Sequence, residues 1–172
     1  MNQREFSEKI APFQDKIFRL AKRLLVSVEE AQDASQEVLL KLWTRNNTLH
    51  QYSSLEALAM VMTKNFCFDQ LKSKRAAFVK IDNNDFFTKD RSNLDQKIED
   101  SDTMQWVQKI IDRLPEQQKM LIQLREIEQM EFDQIAEISD MNPVAIRVAL
   151  SRARKTIREN IEKTHQHGTR KH

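Results

Sequence analysis

The stretch Asn142-Pro-Val-Ala-Ile-Arg-Val-Ala-Leu-Ser-Arg-Ala-Arg-Lys-Thr-Ile-Arg158 constrains the fold more than any other part of the chain. Asn142 offers a side-chain oxygen to the first free N–H groups of a helix, and Pro143 suits the first helical position. Ile146, Leu150, Ala153, Ile157 and Ile161 recur every three or four residues and make one apolar face. At about 100° per residue, Val148, Arg152 and Lys155 fall opposite that face, with Arg147, Ser151 and Arg154 on its flanks. One side packs and the other presents positive charge. A short helix and a tight turn are expected just before it, which is the helix-turn-helix arrangement that offers its second helix to the DNA major groove.

The rest of the chain extends the same helical logic. One Gly and three Pro in 172 residues leave few turns, and no β-branched run alternates strictly, so the fold class is all-α. The only cysteine, Cys67, excludes an internal disulfide framework and a cysteine zinc site, and reads as a small buried core residue. No apolar run approaches the ~20 residues needed to span a bilayer, and the N-terminal residues do not resemble a signal peptide. A cytoplasmic protein is therefore expected. The net charge of +2 hides an uneven distribution. Residues 142–172 carry eight Lys/Arg against two Glu, and residues 64–80 carry five Lys/Arg against one Asp, while residues 82–102 carry seven acidic against three basic side chains.

Helical patterns run over 4–26 and over 28–45, the latter with Glu29, Glu30 and Asp33 in its first turn, where a helix N-terminus favours acids. Residues 46–54 are polar and read as a loop, with Ser54 placed to cap a helix over 55–75 that buries Leu55, Leu58, Val61, Met62, Phe66 and Leu71. Residues 80–102 lack helical periodicity and mark an acidic linker. Beyond it, helices over 103–113, 116–128 (burying Met120, Leu121, Leu124 and Ile127) and about 131–138 precede a turn at 139–142. The spacing thus predicts two small helical domains, 1–79 and 103–162, a linker at 80–102 and a polar, frayed tail at 163–172. His50, His165, His167 and His172 have no acid at triad or ligand spacing, so no catalytic residue, metal, cofactor or small-molecule substrate is expected.

Three segments, in order, resemble the extracytoplasmic-function class of bacterial sigma-70 family RNA polymerase sigma factors. Glu30-Ala-Gln-Asp-Ala-Ser-Gln-Glu-Val-Leu-Leu-Lys-Leu-Trp43 is similar to the core-polymerase-binding helix of the sigma-2 domain. Met62-Thr-Lys-Asn-Phe-Cys-Phe-Asp-Gln-Leu-Lys-Ser-Lys-Arg75 is similar to the helix that reads the −10 element, and Leu114-Pro-Glu-Gln-Gln through Arg158 to the sigma-4 domain that reads the −35 element.

The resemblance implies roles for particular residues. Asp33, Gln36 and Glu37 would contact the clamp helices of the polymerase's largest subunit, fixing orientation by charge. Asn65 and Asp69 match polar positions of the −10 motif, and Lys72, Lys74 and Arg75 would approach phosphates. The loop 46–54 corresponds to the one that captures a flipped non-template base, where Tyr52 or His50 can stack. Arg147, Val148, Ser151 and Arg152 align with base-proximal positions, where an arginine can be bidentate to guanine and a valine can touch a thymine methyl. Arg154, Lys155 and Arg125 are placed as phosphate partners. The linker would thread near the polymerase active site and RNA exit path. Partners implied are core RNA polymerase, promoter DNA and an anti-sigma factor, often membrane-bound.

Three positions depart from the family pattern. Leu58 stands where a Trp is usual, Asp140 must fill a turn position commonly held by Gly, and Gln129 replaces another frequent Gly. Asp tolerates the left-handed conformation better than most residues. The function implied is promoter-directed initiation, with −10 melting assisted. The competing reading, a free-standing helix-turn-helix transcriptional regulator, accounts for the C-terminal part and leaves segments 30–43 and 55–75 unexplained.

Overall fold

The computed structural model describes the backbone of residues 1–81 and 103–169 and the side chains of 1–79 and 103–166, so most of the expected linker lies outside the described residues. Among the described residues the chain is helical and contains no strand. In order come α1 (Gln3–Ile10), a 3-10 turn (Ala11–Phe13), α2 (Gln14–Leu25), α3 (Val28–Thr44), a 3-10 turn (Leu49–Gln51) and α4 (Leu55–Ile81). The C-terminal half holds α5 (Thr103–Asp112), α6 (Glu116–Ile122), a π-helical turn (Gln123–Ile127), α7 (Phe132–Ser139) and α8 (Pro143–Thr169).

The single helix expected over 4–26 is two helices. Pro12 has no N–H to donate, and its ring crowds the preceding turn, so the chain tightens there before α2 begins. Asn2 and Glu5 close a capping box at the start of α1, with Glu5 N–H donating to Asn2 Oδ1 at 2.9 Å. Ser27 and Ser54 cap α3 and α4, accepting from Glu30 N–H at 3.3 Å and Ala57 N–H at 3.1 Å. Ile17, Leu20, Leu24, Ala31, Ala34, Val38 and Leu42 are wholly buried where α2 and α3 pack, and Phe6 meets Trp43 edge-on at 5.1 Å.

α4 corrects the sequence reading twice. It runs to Ile81, past the expected end at 75 and into the first two linker positions. Its most buried side chains are Ala57, Ala59, Met60, Thr63 and Cys67, whereas Leu55, Leu58, Val61, Met62, Phe66 and Leu71 are half-buried. α4 packs on α2 and α3 and also on α7, so it is covered from more than one side, and small residues take the closest approaches.

In the C-terminal half the helix expected over 116–128 widens at Gln123–Ile127, where Glu128 N–H reaches back five residues to Gln123 O at 3.0 Å. The wider turn rotates Ile127 outward, to 44% exposure, against the expectation that it is buried. Gln129 and Asp140, the two positions where glycine was missed, both have left-handed backbones, at φ 55° and 58°. α8 starts as expected, with Ala145 N–H donating to Asn142 Oδ1 at 2.8 Å, and buries Ile146, Leu150 and Ala153. The helix continues to Thr169, with Thr164 Oγ1 donating back to Asn160 O at 3.0 Å.

The two halves are docked, and their buried apolar side chains form one continuous cluster. α2 lies on α6 and the π-turn, and α4 lies on α7. Arg23 of α2, only 9% exposed, donates to Gln123 Oε1 at 3.0 Å, to Asp112 Oδ1 at 3.1 Å and to Gln108. Arg19 grips Glu128 with two bonds of 2.7 and 2.8 Å, and Lys119 reaches Leu24 O at 3.5 Å.

Candidate nucleic-acid interface

The free face of α8 is the first candidate surface. α7, the left-handed Asp140 and the capped start of α8 form the expected helix-turn-helix. Arg147, Val148, Ser151, Arg152, Arg154 and Lys155 are all exposed on one side of α8, opposite Ile146, Leu150 and Ala153. They differ in their commitments. Arg154 donates to Glu126 at 2.7 Å, and Lys155 lies 3.9 Å from Glu159. Among the described residues no carboxylate pairs with Arg147 or Arg152. The Arg147 guanidinium instead lies over the ring of Phe132, 5.1 Å from its centroid. Val144, one turn before Val148, is a further exposed apolar side chain on this face that sequence reasoning passed over.

Arg125 is not free to meet a phosphate. It donates to Met130 O at 2.7 Å and lies over Phe132 at 4.5 Å, where it braces the turn that the π-helix and Gln129 create.

The second surface is the basic end of α4. Asn65, Asp69 and Lys72 are exposed there. Lys74 is paired with Glu30 of α3, and Arg75 with Glu116 of α6 at 3.2 Å. Lys64 is half-buried, and burial pulls its ammonium below the ordinary lysine range, opposed by the Asp140 carboxylate at the turn before α8. Behind this surface, burial pushes the Cys67 thiol up to about 12, which leaves it without thiolate at neutral pH.

The third surface is the outer side of α3. Asp33 and Gln36 are exposed and Glu37 is half-exposed, 3.8 Å from Lys41, whose ammonium sits 5.3 Å from the Phe66 ring centroid. The structure therefore keeps Asp33, Gln36 and Glu37 together on one accessible strip. In the loop after α3, Leu49 is buried and anchors the chain, leaving His50 and Tyr52 exposed. Among the described residues no group of histidines, cysteines and carboxylates has the arrangement of a metal site. Likewise, no helix among them is long and apolar enough to cross a membrane.

The docked polar residues are what sequence reasoning missed. Arg23 sits between Leu20 and Leu24 on an amphipathic pattern, and Gln123, Glu128 and Lys119 lie on a helix read as an ordinary core element. Glu128 is the most telling. Its side chain is 2% exposed; burial alone raises its pKa, but the Arg19 hydrogen bond and charge outweigh this and hold it below the usual carboxylate range. Burial likewise lowers Lys119, with Asp112 and Glu116 opposing.

Known proteins fall in line with this geometry. Residues 10–77 match the family model for Sigma-70 region 2, and residues 104–157 match that for Sigma-70, region 4. The ECF RNA polymerase sigma factor SigW of Bacillus subtilis (strain 168) is 22% identical over 173 residues, covering 93% of this chain and 90% of the relative. Among solved structures, the sigma factor RpoE of Bartonella quintana, crystallised with the anti-sigma factor NepR, aligns at a TM-score of 0.74 and 19% identity over 92% of this chain and 97% of its own. CnrH, solved with the cytosolic domain of CnrY, aligns at 0.67 and 16% identity over 94% and 90%. A free-standing regulator has no use for a region 2 half. With both regions matched in order on either side of the undescribed connection, the chain belongs to the sigma-70 family of RNA polymerase sigma factors, in its ECF class, and serves promoter-specific initiation of transcription.

Proposed function

We propose that the chain divides its work as a sigma factor among three surfaces. The exposed face of α8 reads the −35 element, with Arg147, Val148, Ser151 and Arg152 towards base edges and Arg154 and Lys155 towards phosphates. The basic end of α4 serves the −10 element, with Asn65 and Asp69 facing bases and Lys72, Lys74 and Arg75 facing the backbone. Asp33, Gln36 and Glu37 on α3 dock core polymerase. Residues 1–79 and 103–162 act as the two working domains, and an anti-sigma factor, as in the RpoE complex, is the class of protein that restrains them.

The observation that carries the reading is the state of Arg147 and Arg152. They stand on the outer face of a helix-turn-helix, with no carboxylate among the described residues to hold them. Two guanidiniums there whose N–H edges no carboxylate among the described residues occupies supply the bidentate donors that guanine requires. Reconstituted transcription with core polymerase tests it. Arg147→Ala with Arg152→Ala should abolish dependence on the −35 sequence while leaving polymerase binding intact. Asp33→Lys with Glu37→Lys should abolish polymerase binding and leave duplex −35 binding intact. Transcription that survives the second pair sinks the assignment of α3.

A further inference from the structure

A chain of contacts leads from the π-turn to the middle of the −35 face. The wide turn at Gln123–Ile127 and the left-handed Gln129 bring Met130 O within 2.7 Å of Arg125, whose guanidinium then lies over Phe132 at 4.5 Å. Phe132 is the first residue of α7 and is packed half-buried against the core, so its ring is fixed by the element that carries it. The Arg147 guanidinium lies 5.1 Å from the centroid of that same ring. π-turns inside helices recur at functional sites, and this one serves the docking of α2 through Gln123 as well as the placing of Arg125.

The chemistry of the contact differs from that of an ion pair. A carboxylate would occupy the edge N–H groups of Arg147, the donors that guanine O6 and N7 accept from. An aromatic ring engages the flat face of the guanidinium and leaves the edge free. The arginine is thereby ordered before contact, which removes part of the rotamer freedom it otherwise loses on binding.

We propose that Phe132 is the positioning residue for Arg147, holding it for bidentate reading of one guanine in the −35 element, with Arg125 fixing the ring. This rests on the reading of Arg147 as a base contact, and the experiment separates the two. Holoenzyme is formed from core polymerase and the full chain, and initiation is measured on promoters substituted at each −35 position, including 7-deazaguanine, which lacks N7.

F132L and F132M keep an apolar, somewhat smaller side chain, and thermal melting checks that the fold is retained. Each should lower initiation on the guanine promoter by about fivefold, the scale of an exposed cation–π contact. F132Y should restore it. On the 7-deazaguanine promoter, or combined with Arg147→Ala, the Phe132 variants should add nothing further. If R147A leaves every −35 preference unchanged, Arg147 is no base reader and both claims fall. If R147A erases one preference while F132L and F132M leave it intact, only the role of Phe132 is overturned. Equal losses on all promoters, or losses that persist in the Arg147→Ala background, overturn it too, because they mark a purely structural ring.

Discussion

The outer face of α8 and the basic end of α4 carry the same kind of charge but stand in different states. On α8, Arg147 and Arg152 are free of carboxylates among the described residues. On α4, Lys74 is paired with Glu30, Arg75 with Glu116 of the other half, and Lys64 is half-buried near the Asp140 turn. On the proposed assignment, the base-facing arginines of α8 are accessible, while Lys74 and Arg75 of α4 are engaged by the protein itself. Geometry makes the same point. α4 packs on α7 and α7 on α8, so the two readers lie about two interhelical distances apart, ~20 Å. The −35 and −10 elements are separated by about 25 base pairs, ~85 Å at 3.4 Å per step. If each surface reads the element proposed for it, the docked arrangement cannot span both, and reading both requires the halves to part.

The strongest way to break this contrast is at Arg23. Its three partners all belong to the other half, and it is buried. Arg23→Ala leaves Asp112 and Gln123 with lost bonds at a closed interface, a loss of about 3 kcal/mol that falls on docking itself. The radius of gyration by small-angle scattering should rise, and α4 should bind single-stranded −10 DNA more tightly. An unchanged radius would show that the apolar cluster alone holds the halves together.

A second, smaller effect comes from pH. Glu128 has a folded-state pKa below its ordinary value: burial raises it, but Arg19 outweighs burial. A depressed carboxylate contributes stability that is complete above the unfolded value of about 4.3 and is lost as pH falls through the folded value. Docking should therefore be full at pH 7 and weaken below about pH 4. Glu128→Gln should cost about 2 kcal/mol of docking at pH 7 and remove this part of the acid sensitivity. Scattering profiles for both proteins across pH check this; identical acid transitions would rule Glu128 out as the titrating group.

Glu116→Gln sharpens the comparison more gently. It frees Arg75 from a partly exposed pair, worth up to about 1 kcal/mol. Affinity for −10 single strands should rise by at most about fivefold, with a steeper salt dependence, while duplex −35 binding stays constant. A rise in both would mean that the pair holds the halves together rather than occupying the reader.

How much of this was legible beforehand follows from where the determinants lie. The recognition helix was, because Asn142, Pro143 and the Ile146–Leu150–Ala153 stripe are local signals that the fold obeys. The strained turns at Gln129 and Asp140 were visible as missing glycines. The buried face of α4 was not, because contact with α7, some 70 residues away, decides it. Arg23, Glu128 and Phe132 were hidden for the same reason: each looks ordinary on its own helix, and only tertiary packing supplies its partner. The break at Pro12 was available in the sequence but was overridden by an apolar periodicity that continues through it.

The smallest expected effect concerns the joint between the docked face of α2 and the face of α3 proposed to meet polymerase. Val26 closes α2 and precedes the Ser27 cap of α3, with φ 60° and ψ 10° and 53% exposure. A β-branched residue in the left-handed region is strained by about 1–2 kcal/mol, and at this exposure little packing offsets it. Glycine removes the strain but gives the unfolded chain more freedom, worth about 0.5–1 kcal/mol. Val26→Gly should therefore stabilise the protein by up to ~1 kcal/mol, raising Tm by about 2–4 °C for a chain of this size. Its N–H bond to Lys22 O is retained, so the docking contacts of Arg19 and Arg23 on the same helix should be unaffected. A raised Tm with an unchanged radius of gyration would locate the strain within the N-terminal half; a raised Tm with tighter docking would mean that the strained joint sets the angle at which α2 meets α6.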